Sequence, residues 1–107
     1  MAFDAFDVSL ELIRSLHQPL AAIGERDPDL AQQLRRAAAS VPLNLSEGRR
    51  RHGKDRLHLW RVAAGSADEV AASLRVAEAF GLLDAGAIAP ALGLCDRVLA
   101  MLWRLTH

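Results

Sequence analysis

Several scarcities constrain this chain before any motif does. Of its 107 residues one is cysteine, none is tyrosine, three are phenylalanine and four are proline. The single cysteine, Cys95, cannot form an intrachain disulfide, so the simplest compartment is a reducing cytoplasm. Aromatic and β-branched residues are few and alanine is abundant, which disfavours sheet and favours helix. No apolar run approaches the ~20 residues that span a bilayer. The N-terminal MAFDAFDVSL lacks the basic start of a signal peptide. The expectation is a soluble, cytoplasmic protein without membrane contact.

Hydrophobic residues make up 51% of the chain, enough for a core in one domain over residues 1–107. The net charge is zero, yet residues 1–34 carry −4, residues 35–61 carry +6 and residues 62–107 carry −2. Two readings of the basic segment stand. It pairs with the acidic segments within or between subunits, or it binds an anion.

Phe3, Phe6, Leu10, Ile13, Leu16, Leu20 and Ile23 recur at steps of three and four. They predict a first helix over 4–23, ending near Gly24, with Pro19 bending or tightening it. Asp27 as N-cap, Pro28 in the first turn and Asp29 beside the positive end of the dipole open a second helix over 28–48. Its inward seam is Ala37, Val41 and Leu45. After the connection RRRHG a third helix is expected over 54–80, closed by Gly81 as a C′ residue. Asp84 caps a fourth over 85–105, whose early turns Pro90 disturbs and whose apolar stripe includes Cys95. Four helices with short connections predict an all-α fold, an antiparallel up-down-up-down four-helix bundle.

The third helix is apolar over more of its circumference than one seam needs, which points to self-association. Trp60 lies mid-arc and is read as core, with a base-stacking role as the minor alternative. Trp103, one residue past the last core position, is the better oligomer contact.

The stretch SVPLNLSEGRRRHGKDR, residues 40–56, interrupts this regularity. Pro42 removes a backbone donor, frees the Ala38 carbonyl and should kink the second helix. Asn44 flanks the seam and is expected to bond a neighbouring helix or a freed backbone group. Gly48 falls on the seam, either for close backbone approach or as a left-handed cap. Gly65 and Ser66 are the matching small residues on the third helix and would permit close crossing there.

Two blocks in these segments resemble the bacterial "four helix bundle protein" family, which includes proteins encoded in intervening sequences of large-subunit ribosomal RNA genes. Ser40, Pro42, Asn44, Glu47 and Gly48 match its Ser-x-Pro-x-Asn-x-x-Glu-Gly pattern, which follows a run like QLRRAA. Ala63, Gly65, Ser66 and Glu69 match its Ala-x-Gly-Ser-x-x-Glu. The first helix departs from the family's aromatic-rich opening, and Ser46 replaces a usual alanine. The resemblance implies a left-handed antiparallel bundle and a homo-oligomer, as some relatives form rings of five. It also brings in a relative, the accessory protein of diversity-generating retroelements, that binds nucleic acid and a reverse transcriptase. No settled biochemical activity comes with the family.

Catalytic constellations are sparse. His52, Asp55 and His58 are poorly spaced for a metal, and Ser66, His58 and Glu69 form a triad in name only. Glu47 and Glu69 are expected to cap or to salt-bridge an arginine across helices. The chain is therefore expected to be no enzyme, with no metal and no cofactor. Its best contact site is Arg49, Arg50, Arg51, Lys54 and Arg56, where arginine forks and the amides opening the third helix would meet phosphate. The reading is a non-catalytic homo-oligomeric scaffold with sequence-independent RNA or DNA binding. The rival is a protein-protein interaction module without nucleic-acid binding.

Overall fold

The computed structural model describes residues 3–107, and among them there are five helices and no strand. They are α1 (Asp4–Ser15), α2 (His17–Arg26), α3 (Pro28–Arg49), α4 (Gly53–Ala79) and α5 (Ala85–Thr106). The longest dimension is 43 Å, slightly more than the ~40 Å that the 27 residues of α4 span at ~1.5 Å each.

The expected first helix is two helices, and its proline is the reason. Pro19 has no amide proton to offer the carbonyl four residues back, which belongs to Ser15, the last residue of α1. The chain turns at Leu16, whose amide bonds the Ile13 carbonyl at 3.0 Å in a tighter turn. Pro19 then occupies the first turn of α2, where a missing donor costs little. By contrast α3 continues through Pro42 and α5 through Pro90. Gly24 does not end α2, which runs on to Arg26.

The termini follow local chemistry. Asp27 Oδ1 accepts the Leu30 amide at 3.0 Å and caps α3, with Pro28 at its first position. Asp84 Oδ1 accepts the Ala87 amide at 2.9 Å and caps α5. Gly81, at φ +76°, closes α4. There the Leu82 amide reaches the Ala77 carbonyl at 3.0 Å and the Gly81 amide the Glu78 carbonyl at 2.9 Å, the paired bonds of a Schellman motif.

Helices α1 and α2 pack on α3, α3 on α4, α4 on α5, and α5 on α1. Two buried clusters result. One joins Leu12, Leu16, Ile23, Leu34, Val70, Leu74, Ile88 and Cys95. The other joins Ala5, Val8, Val41, Leu45, Trp60, Ala63, Val98 and Leu102. Leu94 packs against both. Trp60 and Cys95 are buried, as their helical positions predicted, whereas Trp103 is exposed.

Membership of the second cluster gathers the start of α1, the end of α3, the start of α4 and the end of α5 at one end of the molecule. By length and composition α5 could cross a membrane. Here one of its faces is buried against α1 and α4, and Asp96 and Arg97 stand exposed near its middle.

Candidate nucleic-acid interface at the arginine turn

The turn between α3 and α4 is built around Trp60. Its indole passes directly beneath Gly48, where a Cβ would lie 2.5 Å from Nε1 and 2.6 Å from Cδ1. No larger residue fits without displacing the ring. Gly48 is helical rather than left-handed, so it is no cap, and what comes close to it is the Trp60 side chain rather than the neighbouring backbone that its spacing suggested. The indole Nε1 donates to the Leu45 carbonyl at 3.2 Å, locking the crossing of α3 and α4. Phe3 packs on the tryptophan at 5.6 Å between ring centroids.

Arg56 finishes the turn. Its Nε donates to the Gly48 carbonyl at 3.1 Å and its Nη2 to the Arg49 carbonyl at 3.0 Å. These are among the carbonyls that the end of α3 leaves without helical partners. The same guanidinium lies 5.3 Å from the Trp60 ring. Arg56 is thus engaged within the fold. Its position four residues before a tryptophan was a readable signal, since residues so spaced share a helix face. What the sequence concealed was that the C-terminus of α3 meets that face.

The other cations of the run point outward. Arg49, Arg50, Arg51 and Lys54 are all exposed. The Arg49 guanidinium sits 5.3 Å from the Phe3 ring. Arg51 pairs with Glu47 at 2.7 Å, a pair within the turn and not across helices. No hydrogen bond or ion pair involves the side chains of Arg50 or Lys54 among the described residues. Gly53, at φ +55°, turns the chain into α4 with a backbone that side-chain-bearing residues rarely adopt. No side chain caps α4 at its N-terminus, His52 included.

The signature polar residues line one seam between α3 and α4. Asn44 Nδ2 donates to the Ser40 carbonyl at 2.8 Å and to its hydroxyl at 2.9 Å. The Ser40 and Ser66 hydroxyls meet at 2.7 Å across the helices. The Asn44 bonds therefore stay within its own helix, and the serine pair carries the link to α4. The freed Ala38 carbonyl is not the target, because a side chain two residues past Pro42 reaches its own i−4 carbonyl more readily. Glu69 is exposed beside Asp29, Gln32, Gln33 and Arg36 and makes no ion pair among the described residues. Gly65 is exposed with nothing within 4 Å of a built Cβ, so it is not a crossing point.

The remaining candidates lie in or beside the same turn, or on the stripe of α5. His52, Asp55 and His58 are exposed near the start of α4. Among the described residues no three His, Cys, Asp or Glu gather as a metal set. Burial pushes the Cys95 thiol up to about 11, with the carboxylates of Asp96 and Asp68 adding to the effect.

The sequence model of the 23S rRNA-intervening sequence protein family matches residues 3–104, the family to which the two signature blocks point. A crystal structure of a protein of unknown function, from the S23 ribosomal protein family of Bacteroides thetaiotaomicron, is similar at a TM-score of 0.84. It is 15% identical, and the likeness covers 95% of this chain and 97% of that one. At that identity the likeness is one of fold. No curated protein matches the chain.

Proposed function

The chain belongs to the 23S rRNA-intervening sequence protein family, and on that premise we propose that it is a non-catalytic, cytoplasmic scaffold that binds RNA or DNA without sequence preference. The contacts are phosphates held by Arg49, Arg50, Arg51 and Lys54, with Arg56 holding the turn in shape. In this reading α1 and α2 act as one arm of a left-handed up-down-up-down four-helix bundle. The protein self-associates, a ring of five being the assembly that the family resemblance favours. A ring repeats the turn around one rim and multiplies weak contacts by avidity.

One observation carries the reading. The basic run does not neutralise itself against the acidic helices of its own chain. The two ion pairs among the described residues are Arg51–Glu47, inside the turn, and Arg97–Glu11, which joins α5 to α1. Arg49, Arg50 and Lys54, exposed at one end of the molecule and without an ion-pair partner among the described residues, are an electrostatic footprint for a polyanion.

Filter binding of RNA and DNA across a salt series tests it. Affinity is expected to fall steeply with salt, and replacing Arg49, Arg50 and Arg51 by glutamate is expected to abolish binding. Affinity unchanged by that triple replacement would overturn the site. A protein-binding module is the second reading, favoured by exposed Leu43, Val62 and Phe80. It predicts no nucleic-acid binding even at low salt.

A further inference from the structure

Trp103 is 62% exposed on the last turns of α5. An indole left in water is a large apolar surface without a partner, yet this one is held in place. The His107 ring stacks on it at 3.4 Å and 19° between planes. His107 Nδ1 lies 3.1 Å from both the Trp103 carbonyl and the Thr106 hydroxyl, and that hydroxyl donates to the Leu102 carbonyl at 2.7 Å. One face of the indole is covered by imidazole.

The fold brings this platform to the basic end. Val98 and Leu102 share a core cluster with Trp60 and Ala63, so the last turns of α5 lie beside the first turns of α4. The ion pair of Arg97 with Glu11 marks the flank of α5 that faces α1. Trp103, six residues on, is rotated from it by about 120° the short way round, across the outer surface and onto the flank facing α4. Exposed Lys54 and Arg61 stand on that part of α4, and exposed Arg104 follows the tryptophan. An aromatic face among cations is what single-strand binders use, the cations for phosphates and the ring for a base.

We propose that Trp103, backed by His107, stacks an unpaired base of a single-stranded nucleic acid whose backbone runs over Lys54 and Arg61 toward the arginine turn. The proposal rests on the phosphate-binding reading and narrows its ligand to single strands. A duplex keeps its bases stacked internally and can engage only the cations.

Titration of the full chain with short oligothymidylate, and separately with a mixed-sequence duplex, reads this out by tryptophan fluorescence. The single strand is expected to quench Trp103, while Trp60, 8% exposed, keeps its emission. Trp103→Leu is expected to remove the quench and weaken single-strand binding by roughly 5- to 100-fold while leaving duplex affinity within about twofold. Single-strand affinity unchanged in that variant, with duplex binding intact, overturns the stacking role and spares the phosphate reading. Binding of neither probe by the unaltered protein overturns both. A loss of oligomer mass in Trp103→Leu by sedimentation, without the selective loss of single-strand binding, assigns Trp103 to a contact between copies and also overturns the proposal.

Discussion

Two glycines from the signature blocks occupy opposite surroundings. Gly48 lies over Trp60, and an added Cβ would come within 2.5 Å of the indole nitrogen. The ring cannot easily retreat, because it is bonded to the Leu45 carbonyl and flanked by Arg56. Gly48→Ala is expected to cost about 1–3 kcal/mol, read as a fall in melting temperature of ~4–8 °C per kcal/mol. Gly65 faces open space on the surface of α4. Gly65→Ala should stabilise the protein by about 0.5–1 kcal/mol, because alanine loses less backbone freedom in a helix. Paired thermal melts check both, and a Gly48→Ala protein as stable as the original would contradict the packing role. From spacing alone the two glycines looked equivalent. Spacing places a residue on a face, but it does not say what lies opposite.

At the scale of the element, Arg56 and Pro19 do most to shape the ends and bends. Arg56 bonds the last carbonyls of α3 from the second turn of α4 and so acts as a cap supplied by the next helix. Lysine cannot reproduce a planar fork. Arg56→Lys is expected to destabilise the fold by about 1–2 kcal/mol and to shift Trp60 emission to the red. Arg50→Ala, which removes no internal contact, should stay within about 0.5 kcal/mol of the parent. Urea unfolding of both variants measures the difference. Pro19 divides α1 from α2, and α2 packs on α3. That Pro19 would perturb the first helix was readable from its missing donor. That it would split the helix, while Pro42 and Pro90 would not split theirs, depends on how each neighbourhood accommodates the lost bond.

For the whole molecule, cations and acids are unevenly placed along its length, with both signs present at each end. The arginine turn lies at the end where α1 begins and α5 closes, with Asp4 and Asp7 as the acids that open α1. Asp27, Asp29, Glu78 and Asp84 cluster around the turns at the other end. At alkaline pH global stability is linked to the buried Cys95 thiol. Its thiol ionises near 9 when unperturbed and near 11 in the fold, so above pH 9 the native state holds a proton that the unfolded chain has released. Stability is therefore complete below that range and declines as pH rises through it toward 11. Melting temperatures across the alkaline range should show the decline, and Cys95→Val should flatten it.

The sequence by itself determined the helical class, the caps at Asp27, Asp84 and Gly81, the buried stripes, and the family to which the two blocks point. These follow from local rules, since periodicity, capping and turn chemistry act within a few residues. Only the tertiary structure decided that Arg56 serves the fold, that Gly48 and Gly65 differ, and that Trp103 stands at the same end as the arginines. Those facts join residues from different helices, and which faces meet is set by packing of the entire core.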